Sequence, residues 1–428
     1  MALWPLLWNV VQSPSAVPPA LTPQPVPDAE QTRQETLQAP DWSLPVLYLR
    51  GSHYEMGWQH GHQLKEPIRT LTQQFFSQFA RGPAKLFYRH LVPGRLYHLW
   101  QAVPEPYRQE LQGVADGAQL PLKDILLINF FDDVLNLLEL GWAFACSTLV
   151  ARGRGDRVLM GRNLDYNGPV GDLVRHFQAI LVRQPDSGAS TVSVAVAGQV
   201  GVLTGMNQAG LSLGSMTSQT HEQNWDGLGV SVLYRLLLDR CSTVSEALSA
   251  FDRHSPAQGN NLMLADASDG VRLEFTSRRR ALSSLEDKPL GISNHYLDPQ
   301  LAQTHTNLYR RVTASGSQSR YDRLRHWSVA MADRIEVDGL MQAMTDAQIA
   351  PDYPLGDCDP WWTSAAVNNW GTLHSAILDP HQRQLHIAIG LGKTPIQARD
   401  FVQYRPFEAT SVSSVPESAA IASPPACN

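Results

Sequence analysis

Cysteine is scarce in this chain. Four occur among 428 residues, at Cys146, Cys241, Cys358 and Cys427. Their irregular spacing excludes a disulfide framework and a zinc module, and it leaves the redox compartment open. Charge is thin as well: 17% of residues are charged and the net charge is −6. The only dense basic run is Arg278-Arg279-Arg280, which reads as a solvated turn between strands. Nucleic acid and anionic membrane surfaces are therefore not expected partners. No apolar run is long enough to span a bilayer, and no repeat recurs at solenoid spacing. The stretch Met1 to Val11 is apolar and Trp-rich, but it lacks a basic n-region and contains Pro5. It makes a poor signal peptide. The cytoplasm is the simpler expectation, with export through an atypical N-terminus as the alternative.

What is present is a large hydrophobic reserve, 43% of the residues, enough to bury a sizeable core. Residues 12–46 are rich in Pro, Gln, Ser and Ala without amphipathic period. They complete a lead-in, 1–46, that is expected to be disordered or to carry targeting information. The tail 410–428 has the same character and is expected to be disordered. Between them the pattern changes once. Over 47–145 apolar residues recur at helical spacing, as in Ile68, Leu71, Phe75, Phe76 and Phe79, then Leu111, Val114 and Ala115, then Leu122, Ile125, Leu126 and Phe130. Over 146–409 short β-type runs dominate, at 158–161, 179–182, 191–196, 200–204, 211–214, 262–265, 271–275, 290–292, 373–378 and 385–389. Helices are expected among them at 230–238, 244–251, 321–332 and 337–344. Residues 200–214 read as a hairpin turning at Asn207-Gln208-Ala209-Gly210, with Gly210 free to take positive φ. The class is α+β, two sheets stacked between helical layers.

The change falls at Cys146. Arg162 follows it by sixteen positions and Asp165 by nineteen, in Gly161-Arg162-Asn163-Leu164-Asp165-Tyr166. A nearby cation favours the thiolate, and a carboxylate beyond it can orient a terminal ammonium or the arginine. A cysteine freed at its own N-terminus would hold both nucleophile and base, the new α-amine. The plain alternative is a buried core thiol beside a strand-end ion pair, and spacing alone does not choose.

Three motifs bear on the choice: Cys146-Ser147-Thr148, the Arg162–Asp165 stretch, and Gly205-Met206-Asn207-Gln208-Ala209-Gly210-Leu211. Together they resemble the cysteine N-terminal-nucleophile (Ntn) hydrolases, a superfamily that includes choloylglycine (bile-salt) hydrolases, penicillin V acylases and acid ceramidase. Within it, Gly51-Ser52-His53-Tyr54-Glu55-Met56-Gly57-Trp58-Gln59-His60-Gly61 resembles the opening motif of the acyl-coenzyme A:6-aminopenicillanic acid acyltransferase group. So do Leu264-Ala265-Asp266-Ala267, Ser293-Asn294-His295-Tyr296 and Leu373-His374-Ser375-Ala376-Ile377-Leu378-Asp379. The likeness runs from about Leu47 to Arg399.

The resemblance implies a four-layer αββα sandwich and a precursor that cuts itself between Ala145 and Cys146, the two chains staying together. Cys146 is then the nucleophile, and Arg162 and Asp165 tune and orient it. Asn294 is the candidate oxyanion donor, and Arg320, with Arg311 as the alternative, is the late arginine. A glycine often precedes the nucleophile in the acyltransferase; here it is Ala145, small enough for the strained turn such a cut is expected to need. The implied activity is hydrolysis of a linear N-acyl amide through a Cys146 thioester, the substrate a small N-acyl amide or peptide-like molecule. Acyl transfer from acyl-coenzyme A is the alternative, although no phosphate-cradling motif is present; Gly153-Arg154-Gly155 reads as a turn. A non-catalytic binding protein of the same fold is the alternative of another class, against which the intact Cys146, Arg162, Asp165 and Asn294 set stands.

No cofactor or metal is expected. His53, His60 and His62 lack a carboxylate or cysteine at ligand spacing and read as the start of the first helix, where Gly57 and Gly61 permit close packing. Asn260-Asn261 begins a strand and is read as having a turn role, with an amide facing the site as the alternative. Trp361, Trp362 and Trp370 line either an acyl pocket or a packed loop.

Overall fold

A computed structural model describes residues 33–79, 92–137, 144–286, 288–307, 314–331, 335–353 and 364–408. The described residues open with strands β1 (Arg33–Gln38) and β2 (Ser43–Gly51). Helices α1 (His53–Gln63), α2 (Lys65–Phe79), α3 (Val92–Ala102), α4 (Glu105–Ala118) and α5 (Leu122–Leu137) follow. Then come β3 (Phe144–Arg152), β4 (Val158–Tyr166), α6 (Gly168–Val174), β5 (Gln178–Pro185), β6 (Thr191–Val196), β7 (Thr204–Asn207) and β8 (Ser212–Thr217). Helices α7 (Val230–Arg240) and α8 (Val244–Phe251) precede β9 (Asn260–Ala265), β10 (Gly270–Phe275), β11 (Arg280–Ser284) and β12 (Leu290–Ile292). The described chain closes with α9 (Pro299–Ala302), α10 (Ala314–Ala330), α11 (Val337–Met344), β13 (Thr372–Asp379), β14 (Gln384–Ile389) and β15 (Val402–Tyr404).

Two sheets result. One has nine strands in the order β1-β2-β5-β6-β7-β8-β9-β10-β11, the other six in the order β12-β3-β4-β13-β14-β15. They face each other through β3 against β8 and β9, and β13 against β7. Helices α1 and α7 lie on the nine-stranded sheet, against β2 and β7; α10 and α11 lie on the other, against β3 and β4. This is the expected four-layer αββα sandwich. Every residue of β4 is buried, because one face meets the opposite sheet and the other meets helices. Such strands read as continuous apolar runs rather than alternating ones.

The N-terminal part is not purely helical. The expected lead-in ends too late: Arg33–Gln38 and Ser43–Gly51 are strands, paired antiparallel, and β2 runs parallel to β5 inside the large sheet. RQETLQ is an edge strand with one partner, and it alternates only between half-buried and exposed positions. Residues 1–32 and the tail from 409 lie outside the described residues.

The hairpin turns where expected, with Gly210 at φ +96°, but its first strand starts only at Thr204. Residues before it direct their backbone groups to side chains. The N–H groups of Val200 and Gly201 donate to Asn129 Oδ1, and the Val200 carbonyl accepts from Arg183 and Arg235.

Helix α1 is set by a Ser52–Glu55 capping box. It crosses α4 at van der Waals limit. A Cβ on Gly57 would sit 2.0 Å from the Glu110 carbonyl oxygen, and one on Gly61 2.2 Å from that of Val114. Gly113 and Gly117 meet Tyr54 and Trp58 in the same way. Where the helices touch, Glu110 is buried between Arg235 (3.0 Å) and Arg183 (3.3 Å). Arg235 also binds Asp239 at 2.7 Å, so the buried charges are mutually compensated.

Candidate active site

Cys146 is the third residue of β3, and the β3–β4 register explains why Arg162 and Asp165 belong with it. Cys146 pairs with Leu164, Thr148 with Arg162, and Ala145 with Asp165. Antiparallel partners share a face and alternate residues share a face. Cys146 and Arg162 therefore project together toward the nine-stranded sheet, and Asp165 lies on the opposite face beside Ala145. Gly214 of β8 makes room for the arginine; a Cβ there would stand 2.8 Å from Arg162 Cδ.

Each atom that a nucleophilic cysteine uses is addressed. Arg162 Nη2 lies 3.9 Å from Cys146 Sγ. Asn294 Oδ1 accepts from the Cys146 N–H at 2.7 Å. Arg320 Nη1 donates to the Cys146 carbonyl and, at 3.3 Å, to Ser147 Oγ. Asp165 accepts from Asn369 Nδ2 at 3.1 Å. Arg162, Asn294 and Arg320 thus meet at Cys146, Asp165 lies on the opposite face of the same strand pair, and all five sequence-predicted residues are buried. Arg311 lies outside the described residues, as do Trp361 and Trp362.

Three expectations need correction. The Ala145–Cys146 bond lies inside a strand ladder, not in a strained turn. The thiol is not lowered on balance: burial pushes it up, while Arg162 pulls it down and Asp165 opposes that pull. Asn294 presents its oxygen to the Cys146 nitrogen, and its Nδ2 donates to the Thr217 carbonyl at 2.9 Å. In the uncut chain it grips the backbone of Cys146. Asp165 is raised to about 6, by burial first, with Arg320 as the largest opposing influence.

Sequence reading missed the support around Arg162. Its Nε donates to Thr204 Oγ1 at 2.8 Å. That hydroxyl meets His374 Nε2 at 3.0 Å, and His374 Nδ1 meets Gln178 Oε1 at 2.8 Å. Gln178 Nε2 donates to the Leu373 carbonyl at 3.0 Å. The last link fixes the rest. Gln178 offers His374 only an oxygen, so Nδ1 carries the proton, Nε2 accepts from Thr204, and Thr204 accepts from Arg162. Burial, then Arg162, holds His374 down to about 3 and so keeps the ring neutral.

Asn260 and Asn261 are not in a turn. They open β9 and are buried, and Asn261 Nδ2 donates to the carbonyls of Ser293 and His295, clamping the loop that bears Asn294. The N-terminal histidines are dispersed: His53 bonds Glu110, His60 Nε2 accepts from the Gly198 N–H, and His62 stacks on Trp58. Among the described residues no group of His, Cys, Asp or Glu has the arrangement of a metal site. Within the basic run, Arg279 is paired with Glu222 and Arg280 with Asp252. Among the described residues no helix is long and apolar enough to cross a membrane.

Stacked sheets between helices, with the cysteine on an inner strand, place this protein in the class of cysteine Ntn hydrolases. More narrowly, the chain belongs to the acyl-coenzyme A:6-aminopenicillanic acid acyl-transferase family, whose model matches residues 151–393. That stretch contains Arg162, Asp165, Asn294 and Arg320 and starts five residues beyond Cys146. A protein of Archaeoglobus fulgidus is 30% identical over 328 residues, covering 63% of this chain and 54% of that protein. Acid ceramidase of Bos taurus is 30% identical over 77 residues, 18% of either chain. The chain thus spans about half of the first relative's length and under a fifth of the second's. The solved Caenorhabditis elegans N-acylethanolamine-hydrolyzing acid amidase ortholog aligns with a TM-score of 0.39 at 16% identity, over 55% of this chain and 93% of that one.

Proposed function

We propose that the protein is a self-processing N-terminal-cysteine amidohydrolase that cleaves a linear N-acyl amide through a thioester on Cys146. The observation that carries this reading is the simultaneous hold on Cys146 N by Asn294, on Sγ by Arg162 and on its carbonyl by Arg320. Arg162 addresses the thiol itself, while Asn294 and Arg320 address the main-chain N–H and carbonyl of the same residue, the N–H being the atom that a cut before Cys146 would turn into an amine.

In the first event Cys146 Sγ attacks the Ala145 carbonyl, the C–N bond breaks, and the freed nitrogen takes the thiol proton to become the α-amine. Water hydrolyses the Ala145 thioester and leaves a new carboxylate. Asn294 Oδ1, already on that nitrogen, then holds the amine as it gains and loses protons. In turnover the amine takes the thiol proton, the thiolate attacks the substrate carbonyl, and the leaving amine departs with the proton. Water resolves the acyl-enzyme. Arg162 stabilises the thiolate by proximity of charge. Pairing of β2 with β5 supports continued association of the two chains after the cut.

Acyl transfer is the second reading, favoured by the description of the family itself. It replaces water with an acceptor amine in the last step. Free acid released from amides without coenzyme A supports hydrolysis; turnover only with an acyl-coenzyme A donor supports transfer.

Intact-mass measurement of purified protein tests the proposal. Two fragments meeting at Ala145/Cys146 are expected, with an uncut, folded chain for Cys146→Ala. A single lasting chain whose cysteine no acylating reagent labels would leave a binding protein as the correct account.

A further inference from the structure

Where β2 and β5 of the large sheet come against β14 of the small one lies a cavity of about 300 Å³. That is the lower end of the range for small-ligand pockets, about 300–1,000 Å³. No step proposed above uses it. The strand register places it relative to the nucleophile. Cys146 pairs with Leu164, Leu164 with His374, and His374 with Ile389, which lines the cavity. Directly opposed residues share a face, so Cys146 and Ile389 look into the same gap between the sheets. Three strand spacings separate them, roughly 14 Å, and the bonded pair His374–Gln178 stands between.

Most of the wall is apolar. Trp42, Leu44, Leu64, Phe177 and Ile389 contribute to it, and Leu391 forms an exposed lip. The buried polar wall is Arg175 and Gln178, 5% and 6% exposed, while Asp41 and His176 lie exposed at the rim. Arg175 Nη1 donates to the Thr372 and Gly390 carbonyls and Nη2 to that of Trp370. Its Nε donates to no described residue, and no described carboxylate pairs with it; Asp172 and Asp165 act only from beyond ion-pair distance. The fully buried Arg183 and Arg235, by contrast, both meet Glu110. A buried cation without a close counter-charge is costly. Gly392, at φ +69°, leaves the unused edge uncovered, since a Cβ there would stand 2.8 Å from Arg175 Nε.

We infer that this cavity is a second ligand site, for a small carboxylate on a hydrocarbon body, and that Gln178 relays its occupancy to Arg162. The carboxylate accepts from Arg175 Nε in a charge-assisted bond and supplies the missing counter-charge. The hydrocarbon lies on Trp42, Leu44 and Ile389. A phosphate would bring a second charge, for which the wall holds no second buried cation. The acid that hydrolysis of an N-acyl amide releases has this form, but the site does not depend on that reading.

Gln178 joins the cavity to the thiol. Its Nε2 is shared between the Arg175 carbonyl at 3.3 Å and the Leu373 carbonyl at 3.0 Å. Its Oε1 takes the His374 proton, and Thr204 carries the path on to Arg162. A carboxylate on Arg175 offers that amide nitrogen a further acceptor, and a turn of the amide changes what His374 and Thr204 present to Arg162. Such coupling is reciprocal.

Octanoate is the probe and octanamide its uncharged counterpart, each titrated calorimetrically into the purified protein. Octanoate should bind at least about tenfold more tightly than octanamide. Leu391→Glu, at an exposed position, sets a like charge at the lip and should weaken octanoate at least about tenfold. Cys146→Ala should still bind it, which separates this site from an acyl pocket at the thiol. Arg175→Gln should erase the preference for the acid. Because Arg175 also holds three main-chain carbonyls, Leu391→Glu decides the matter if that variant does not fold. In a second arm, saturating octanoate should change the rate of Cys146 alkylation by iodoacetamide at least about fivefold, and leave it unchanged in Leu391→Glu.

No binding, equal affinity for octanamide, loss of binding in Cys146→Ala, or undiminished binding to Leu391→Glu would overturn the site. Binding without any change in alkylation would overturn the relay through Gln178.

Discussion

His374 reaches Arg162 through a single hydroxyl, that of Thr204. The direction of every proton along this path is fixed by Gln178, whose amide nitrogen is committed to main-chain carbonyls. His374→Phe removes the acceptor for the Thr204 proton and loosens the guanidinium beside Sγ. Alkylation of Cys146 in the processed protein should slow about tenfold near neutrality and its pH profile should move upward by about one unit, equivalent to about 1.4 kcal/mol. His374→Gln, which can still present an acceptor, should recover part of the loss. Identical alkylation profiles for wild type and His374→Phe would show that Arg162 is held without this path.

Asp165 gives a pH signature. Its folded pKa is raised from 3.8 to about 6, so the folded state holds this proton more tightly than the unfolded chain does. The resulting stabilisation is fully present below about pH 4 and is lost as pH rises through about 6, on the order of 3 kcal/mol for a two-unit shift. Asp165→Asn, compared with its parent in the uncut Cys146→Ala background, should therefore gain relative stability across that interval. Urea unfolding at pH 4 and pH 7 measures the difference; a pH-independent difference would contradict a buried, titrating carboxylate.

The crossing of α1 and α4 gives a third prediction, independent of chemistry. Gly57→Ala places a methyl 2.0 Å from a main-chain oxygen that cannot move alone. Overpacking of this kind costs about 1–3 kcal/mol. Thermal unfolding should show a drop in Tm, whereas Gly155→Ala, with no atom within 4 Å but φ at +68°, should suffer only the smaller backbone penalty.

The parts of this molecule that were legible are those where burial acts on consecutive residues. The strands β4, β9 and β13, buried throughout, announce themselves as short β-type runs. Cys146, Arg162 and Asp165 were legible because two adjacent strands bring them together within twenty residues. Asn294 and Arg320 came only through resemblance, since their contacts with Cys146 span 148 and 174 positions. Thr204 and His374 carry no local signal, because a hydroxyl and an imidazole separated by 170 positions meet only when two sheets stack. Gly57 and Gly61 were noticed, yet their counterparts Gly113 and Gly117 were not, although the same four-residue interval marks both helices. β1 was lost because its alternation in burial is carried by Glu35 and Leu37, with a single apolar residue to mark the inner face.

The Ala145–Cys146 bond lies within β3, while β1 and β2 of the preceding segment complete the edge of the large sheet beyond β5. A molecule cut at Cys146 would unfold cooperatively like its precursor, but it would refold as two chains that must first meet. Its refolding rate would depend on concentration where the precursor's does not. Folding would then be a step each molecule completes once, before activation, and thermal inactivation of the mature form would be irreversible at low concentration.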